Sequence, residues 1–393
     1  MRNLGRRAAR PAAVVSSAVV LFALAAPAAA QDPPLLALET PAATYPDGLG
    51  SLRGVRELAG GRVLVADGLG QALIVWTPGG GADTLTNVGE GPEEYETPDG
   101  LHALPAGGTL LVDIGNARLA ELSAELEFVD TRPVAQGQIG PGMTLLLPVG
   151  TDDRGRIYFQ QRPPMTEMRD SAWIARFDPA TEAIDRLGRV KLQDQQRSES
   201  GGANERSVRM RPMPFTTEDA WSVGRDGRVA VARTGEYRLE WIEPDGSVVR
   251  GPAVPWEPVR VTGADREAYM EELAGGLGIM VTSDGGPPQL SFSRGGRELA
   301  GGADEFTWPA VKPAFAGGAV RVDGAGRAWV RRHVAAGEPP LYDVFDAGGR
   351  RIARVTLPED RRLVAFGERS LYVERRDELE FAWLERYEMP ALP

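Results

Sequence analysis

The sequence predicts an all-β protein: a six-bladed β-propeller whose ring is closed by an N-terminal strand, with a short helical insertion between blades four and five. Three observations carry this. A turn followed by a short apolar strand recurs six times, a second hairpin turn follows in five of the six, and a spare apolar strand lies near the N-terminus. The 48 Gly and 31 Pro are spread along all 393 residues, as a chain of many turns requires.

The first thirty residues form an address. Arg2, Arg6, Arg7 and Arg10 precede an uncharged, Ala-rich run that ends in Ala28-Ala29-Ala30. This order of positive, apolar and small residues is that of a secretory signal, with cleavage expected after Ala30. An uncleaved anchor is the rival, disfavoured by Ser16, Ser17 and Pro27 in a run short for a span. Residues 31–393 are expected to form the propeller. Lys occurs only at Lys191 and Lys312, so Arg supplies nearly all the positive charge, as in GC-rich bacterial genomes. An exported protein of a Gram-negative-type bacterium is expected, periplasmic or extracellular.

The inner turns are Gly60-Gly61, Gly107-Gly108, Gly155, Gly227, Gly326 and, without glycine, Arg369-Ser370. Glycine there supplies the positive φ of a tight hairpin. Each turn leads into a strand such as Val63-Leu64-Val65 or Ala328-Trp329-Val330, then a loop, then a third strand. Outer turns centre on Gly79, Ala124, Ala180, Asp245 and Gly348, and the chain stops after the sixth third-strand. Pro34–Glu39 is therefore expected to supply the missing outer strand of the last blade. Gly61, Gly108 and Gly155 are evenly spaced, whereas Gly227 and Gly326 follow after long gaps. Those gaps hold two insertions, 194–214 and 257–307. The second contains one helix, with Thr262 as N-cap and Gly275-Gly276 as stop.

Val88-Gly89-Glu90-Gly91-Pro92-Glu93-Glu94-Tyr95, with Leu110-Leu111-Val112-Asp113 and Asn116-Ala117-Arg118, resembles the linker and strand–Asp–loop phrases of NHL-repeat propellers. Trp308-Pro309 through Asp343-Val344-Phe345 is similar to exported bacterial propellers of the TolB-like fold group. The resemblance implies the fold and little about activity.

Composition excludes several classes. There is no Cys and only His102 and His333, so thiol catalysis, Fe–S clusters and His₃ metal sites are ruled out. A net charge of −11 argues against general nucleic-acid binding. Asp-Gly pairs such as Asp226-Gly227, Asp245-Gly246 and Asp284-Gly285 are read as turn chemistry rather than calcium loops. In a propeller both insertions and the second-to-third-strand loops open on one face, which carries Asn116, Arg118, Arg162, Arg169, Arg233, Arg331, Arg332, His333, Arg375 and Arg376. Asn116, Arg118, Arg162, Arg233, Arg331, Arg332 and His333 are the candidate ligand-binding residues. Guanidinium forks suit carboxylate or phosphate, while acids nearby (Asp67, Asp113, Glu236, Glu374, Asp377) offer mutual ion pairing as the structural explanation. His102 is expected to be packed or channel-lining, and Trp256 and Trp308 to line a groove or pack the insertion.

No catalytic set is recognisable. The expectation is a monomeric exported module that binds a protein or small anionic ligand without a cofactor. The alternative is a lactonase of the gluconolactonase or strictosidine-synthase-like type, which the architecture resembles and which implies Ca²⁺ in the central channel held by carboxylate and amide oxygens. A zinc lyase of the amidating type fits poorly with two His.

Overall fold

The computed structural model describes residues 32–137, 143–162, 170–200, 207–282, 289–294 and 302–393. The segment expected to be a signal, Arg169 and Asp284 lie outside them. Blade one is built from Leu52–Glu57, Val63–Asp67, Ala72–Trp76 and Ala82–Leu85. Blade two follows with Pro98–Ala103, Thr109–Asp113, Arg118–Leu122 and Phe128–Pro133. Blade three comprises Pro148–Thr151, Ile157–Gln161, Ser171–Asp178 and Ala183–Lys191. Blade four comprises Ala220–Val223, Val229–Arg233, Arg238–Ile242 and Val248–Arg250. Blade five holds Phe315–Val322, Ala328–Arg332, Leu341–Phe345 and Arg351–Thr356, and blade six Arg361–Phe366, Ser370–Arg376 and Ala382–Glu388. Neighbours within each of these sheets are antiparallel, and the chain is a six-bladed propeller.

The turn chemistry explains the hairpins. Gly61, Gly107, Gly155, Gly227 and Gly326 all adopt positive φ in the inner turns, as do Gly79, Gly246 and Gly349 in outer ones. Asp323 Oδ1 accepts from the amides of Ala325 and Arg327 at 3.0 Å each, so the Asp-Gly pair works on its own backbone.

The core lies in the seams between blades. Second strands such as Val63–Asp67 and Thr109–Asp113 are buried along their whole length, because neighbouring blades cover both faces of each sheet. Outer strands such as Val248–Arg250 are exposed. Each apolar cluster joins two adjacent blades. Leu64, Leu73, Leu111 and Ala120 join blades one and two, while Val63, Trp76, Tyr372 and Leu384 join blade one to blade six.

The N-terminal segment differs from expectation in one respect. Leu35–Ala37, within the strand expected to complete blade six, pairs parallel with Arg354–Thr356 and becomes a fifth strand of blade five. The outer strand of blade six is the shorter Ala43–Thr44, antiparallel to Glu385–Arg386. The apolar pattern accounts for the difference: Leu36 and Leu38 pack into the seam between blades five and six, against a cluster that includes Val355 and Leu371. The chain then crosses to blade six through Thr40–Ala42.

The first insertion is a hairpin of Gln195–Ser200 with Ser207–Pro212. The second opens and closes on paired Val259–Arg260 and Val311–Lys312. Between them lie helix α1 (Gly263–Ala274) and a hairpin of Leu277–Thr282 with Gln289–Arg294. As expected, Thr262 is the N-cap and Gly275 the C-cap, and Asp265 completes a capping box. Among the described residues no helix is long and apolar enough to cross a membrane.

Candidate functional site

Most of the arginines singled out in the sequence are spent on the scaffold. Asp113 ends the second strand of blade two, fully buried. Its Oδ1 accepts from the amides of Glu96 and Thr97, and its Oδ2 from Asn116 Nδ2 at 2.7 Å and Arg118 Nε at 3.2 Å. Arg118 reaches on to the carbonyls of Gly91 and Glu94, at 2.8 and 2.6 Å, and Asn116 to that of Gly89. The Gly-rich phrase at 88–95 is thus clasped onto blade two by the two side chains that resembled the NHL pattern. The same logic holds in blade four, where Arg233 binds Glu240 at 2.7 Å and Asp219 at 3.0 Å. In blade five Arg332 binds Asp343 at 2.9 Å and lies over the Tyr237 ring. Arg375 pairs with Glu385, and Arg376 with Glu374. A broad pocket of about 550 Å³ beside blade four, lined by Lys191, Asp219, Arg233 and Glu240, is likewise walled by paired charges.

Arg162 and Arg331 differ. Among the described residues the guanidinium of neither has a hydrogen bond or ion pair, although Arg162 lies within electrostatic reach of Glu218; Arg162 is exposed and Arg331 is partly buried. His333, two residues further on, is tied down by its Nδ1 facing the Pro313 carbonyl at 2.9 Å, and its ring meets Phe215 edge-on at 5.7 Å. That partner assigns the proton to Nδ1. Burial above all, with Lys312, Arg331 and Arg332 adding, holds its pKa down at about 4, so the ring is neutral at pH 7.

The second insertion forms a roof over this face. It is pinned at its base by a buried ion pair between Asp265 and Lys312. Tyr269 of α1 packs on Phe215 and Trp308, at 5.4 and 5.6 Å between ring centres. Trp308 therefore packs the insertion rather than lining an open groove, and Trp256 lies against the core between blades four and five. Leu277 and Phe292 of the insertion's hairpin rest on a cluster that includes Leu110, Ile157 and Phe159, which belongs to blades two and three. A segment rooted between blades four and five thus reaches over to the seam between blades two and three.

Beneath the roof sits Glu218, just before the first strand of blade four. Its Oε1 accepts from Gly317 N at 2.9 Å. Burial raises its pKa and Glu272 of α1 adds to the rise, against the Gly317 bond and the charges of Arg162 and Lys191. Tyr269 is pushed up to about 12, chiefly by burial, with Glu218 and Glu272 contributing. Glu272 also lies within electrostatic reach of Arg362, on the first strand of blade six. The mouth thus holds Arg162, Arg331, Glu218, Glu272 and Tyr269.

Deeper in the ring the first strands contribute cations. Arg321 of blade five donates from Nε to the Leu363 carbonyl of blade six at 3.1 Å. Burial lowers its pKa to about 10, with Arg362 and Arg331 adding and Tyr342 opposing. His102 of blade two is held down at about 4 by burial and then by Arg321. Blades two and five are diametrically opposite, so this influence acts across the axis. Arg225 crosses below, from the inner turn of blade four to the Ala103 carbonyl of blade two, and pairs with Asp153 at 2.6 Å. Glu57, on the first strand of blade one, is committed to Tyr372 and to the amide of Glu368.

The sequence reading did not reach Glu218, Arg321 or Arg362. Arg321 carried a signal, a cation between Val320 and Val322 on a strand facing the axis.

No family model matches the chain, and no curated protein matches it in sequence. Its fold is similar to that of solved structures. One is a gluconolactonase from Xanthomonas campestris, with 12% identity, 88% of each chain covered and a TM-score of 0.45. Another is regucalcin, a calcium-binding protein from Agrobacterium tumefaciens, with 11% identity, 92% of this chain and 98% of that one covered, and a TM-score of 0.40. A third is a Bacteroides fragilis protein named as exported, with 10% identity, 91% and 100% covered, and a TM-score of 0.44.

Proposed function

We propose that this protein is an exported binding module that takes a small anionic ligand in the roofed mouth of its channel. The observation that carries the reading is the contrast among the arginines: Arg118, Arg233, Arg332, Arg375 and Arg376 are paired, whereas among the described residues the guanidinium groups of Arg162 and Arg331 at the mouth have no ion pair. Free guanidinium forks take carboxylate or phosphate in a bidentate manner. Arg331 is partly buried, where such a pair is stronger than at an open surface.

The lactonase alternative needs a divalent cation in the channel, and calcium takes six to eight oxygen ligands. The first strand of blade five brings the Arg321 guanidinium to this axis, a charge that repels a cation. Titration calorimetry with gluconate, citrate and glucose 6-phosphate tests the reading. Binding of at least one is expected, weakened about tenfold or more in an Arg162→Ala/Arg331→Ala variant. Lactone hydrolysis that requires Ca²⁺ and stops with chelator would overturn it.

A further inference from the structure

We infer that the loops where blades six and one meet form a docking surface for another polypeptide, and that the segment it takes is apolar and positively charged.

The surface is built from two neighbouring second-to-third-strand loops. Leu69 lies in the loop of blade one, residues 68–71, and is 75% exposed. Leu379 and Phe381 lie in that of blade six, residues 377–381, and are 77% and 46% exposed. Between the loops runs Gly48-Leu49-Gly50, bridged to Ala382 through Leu49. Its one side chain, Leu49, is turned into the core, so the outer side of the segment is bare backbone. A Cβ added to Gly48 would lie 3.3 Å from that of Phe381, and one added to Gly50 3.2 Å from that of Leu69. Phe381 and Leu69 thus wall one shallow groove whose floor is glycine.

Neither loop is free to fold its apolar tip away. Asp67 accepts from the amides of Gly50, Ser51 and Gly70 at 2.9, 2.8 and 2.9 Å. Asp377 accepts from those of Leu379 and Phe381 at 3.0 Å each, and from Trp383 Nε1 at 2.8 Å. Large apolar side chains held out in water on fixed loops mark an interaction site. Their rigidity also removes part of the ordering cost of binding. The second insertion leaves this sector open, since it roots between blades four and five and rests on blades two and three.

Charge selects the partner. Asp47 and Glu378 are exposed next to Gly48 and Leu379, and among the described residues neither forms an ion pair. Glu380, also exposed, meets Arg376 at 3.5 Å. A second copy of this chain docked through the same groove, or an anionic membrane, would bring like charge against these acids. Lysine or arginine set among apolar residues would pair with them instead, which fits a basic, amphipathic segment of another protein.

The experiment is a fluorescence-anisotropy titration with a short labelled peptide that alternates leucine and lysine; a leucine–glutamate peptide of equal length is the control. The leucine–lysine peptide is expected to bind about tenfold or more tightly than the control, with affinity falling as salt rises. Leu69→Ser/Leu379→Ser replaces two side chains that are three-quarters exposed, so it should fold as the native chain does and bind about tenfold more weakly. Asp47→Asn/Glu378→Gln should weaken binding and flatten its salt dependence. Arg162→Ala/Arg331→Ala should bind the peptide as the native chain does, which separates this surface from the anion site at the mouth. No binding, equal binding of both peptides, or binding that survives Leu69→Ser/Leu379→Ser would overturn the inference. So would self-association, or binding to phosphatidylglycerol vesicles, that the native chain shows in sedimentation and Leu69→Ser/Leu379→Ser loses.

Discussion

The hydroxyl of Tyr237 in blade four donates to Asp343 Oδ2 in blade five at 2.7 Å, and both residues are buried. Asp343 also accepts from Arg332 at 2.9 Å and Arg351 at 3.3 Å. One carboxylate thus joins two blades and neutralises two guanidinium groups. Tyr237→Phe removes one bond and leaves the other two, so a loss of about 1–2 kcal/mol is expected. Asp343→Ala takes the carboxylate from the buried Arg332 guanidinium and should cost about 3–5 kcal/mol. Urea unfolding checks both: the midpoint should fall in that order with an unchanged slope.

The roof depends on Lys312. Its ammonium pairs with Asp265, donates to the Val334 carbonyl at 2.7 Å, and lies 5.8 Å from the Phe215 ring centre. Burial pushes the Asp265 carboxyl up, but Lys312 and Thr262 outweigh it and the net shift is downward. A depressed carboxyl stabilises above its unfolded value and loses that contribution as pH falls through its folded value. Lys312→Met should therefore loosen the insertion while the blades remain folded. Limited proteolysis is expected to cut within 257–307 several-fold faster in the variant, and the native protein should show the same sensitivity in acid. Unchanged cleavage would mean that the aromatic contacts of Tyr269 hold the roof unaided.

Much of the ring was legible because propeller geometry forces local chemistry. A tight hairpin needs positive φ, and glycine marks it at Gly61, Gly155, Gly227 and Gly326. Continuous burial of second strands leaves apolar runs such as Val63-Leu64-Val65. What depends on contacts distant in sequence was not legible. Gly251 has no turn signature, yet a Cβ there would lie 2.0 Å from the Gly349 carbonyl, because blades four and five touch backbone to backbone. The path of Leu35–Ala37 was missed for a similar reason: apolar spacing marks a strand but not which edge it joins. At the site, residue type identified arginines without revealing which had partners. Only the fold separates Arg332, held by Asp343, from its neighbour Arg331.

Both histidines make the protein sensitive to moderate acid. His102 and His333 are each held at about 4, by burial first, against about 6.5 in an unfolded chain. Their stabilising contribution is complete above the unfolded value and is lost as pH falls through the window between 6.5 and 4. The size of the shifts implies about 2–3 kcal/mol for each residue. Calorimetric melting at steps from pH 7 to pH 4 should therefore show a steep fall before most carboxylates titrate. His333→Asn keeps an N–H for the Pro313 carbonyl and removes the titration, so its curve should be about half as steep.

Glu218 makes the opposite prediction, and for ligand rather than fold. Its pKa is raised by burial and by Glu272, so it is neutral over part of the range where ordinary carboxylates are charged. A raised carboxyl favours folding below its unfolded value and loses that contribution as pH rises through its folded value. The same ionisation places a negative charge beside Arg162, where it competes with an incoming anion. Affinity for an anion at the mouth should thus weaken as pH rises through the folded pKa of Glu218. A change of about fivefold to tenfold is reasonable for one screened charge at short range. Glu218→Gln keeps an oxygen to accept from Gly317 N and cannot ionise. It should bind the anion more tightly at neutral pH and with a flat profile. A profile as steep as that of the native protein would place the titrating group elsewhere, with Glu272 the next to replace.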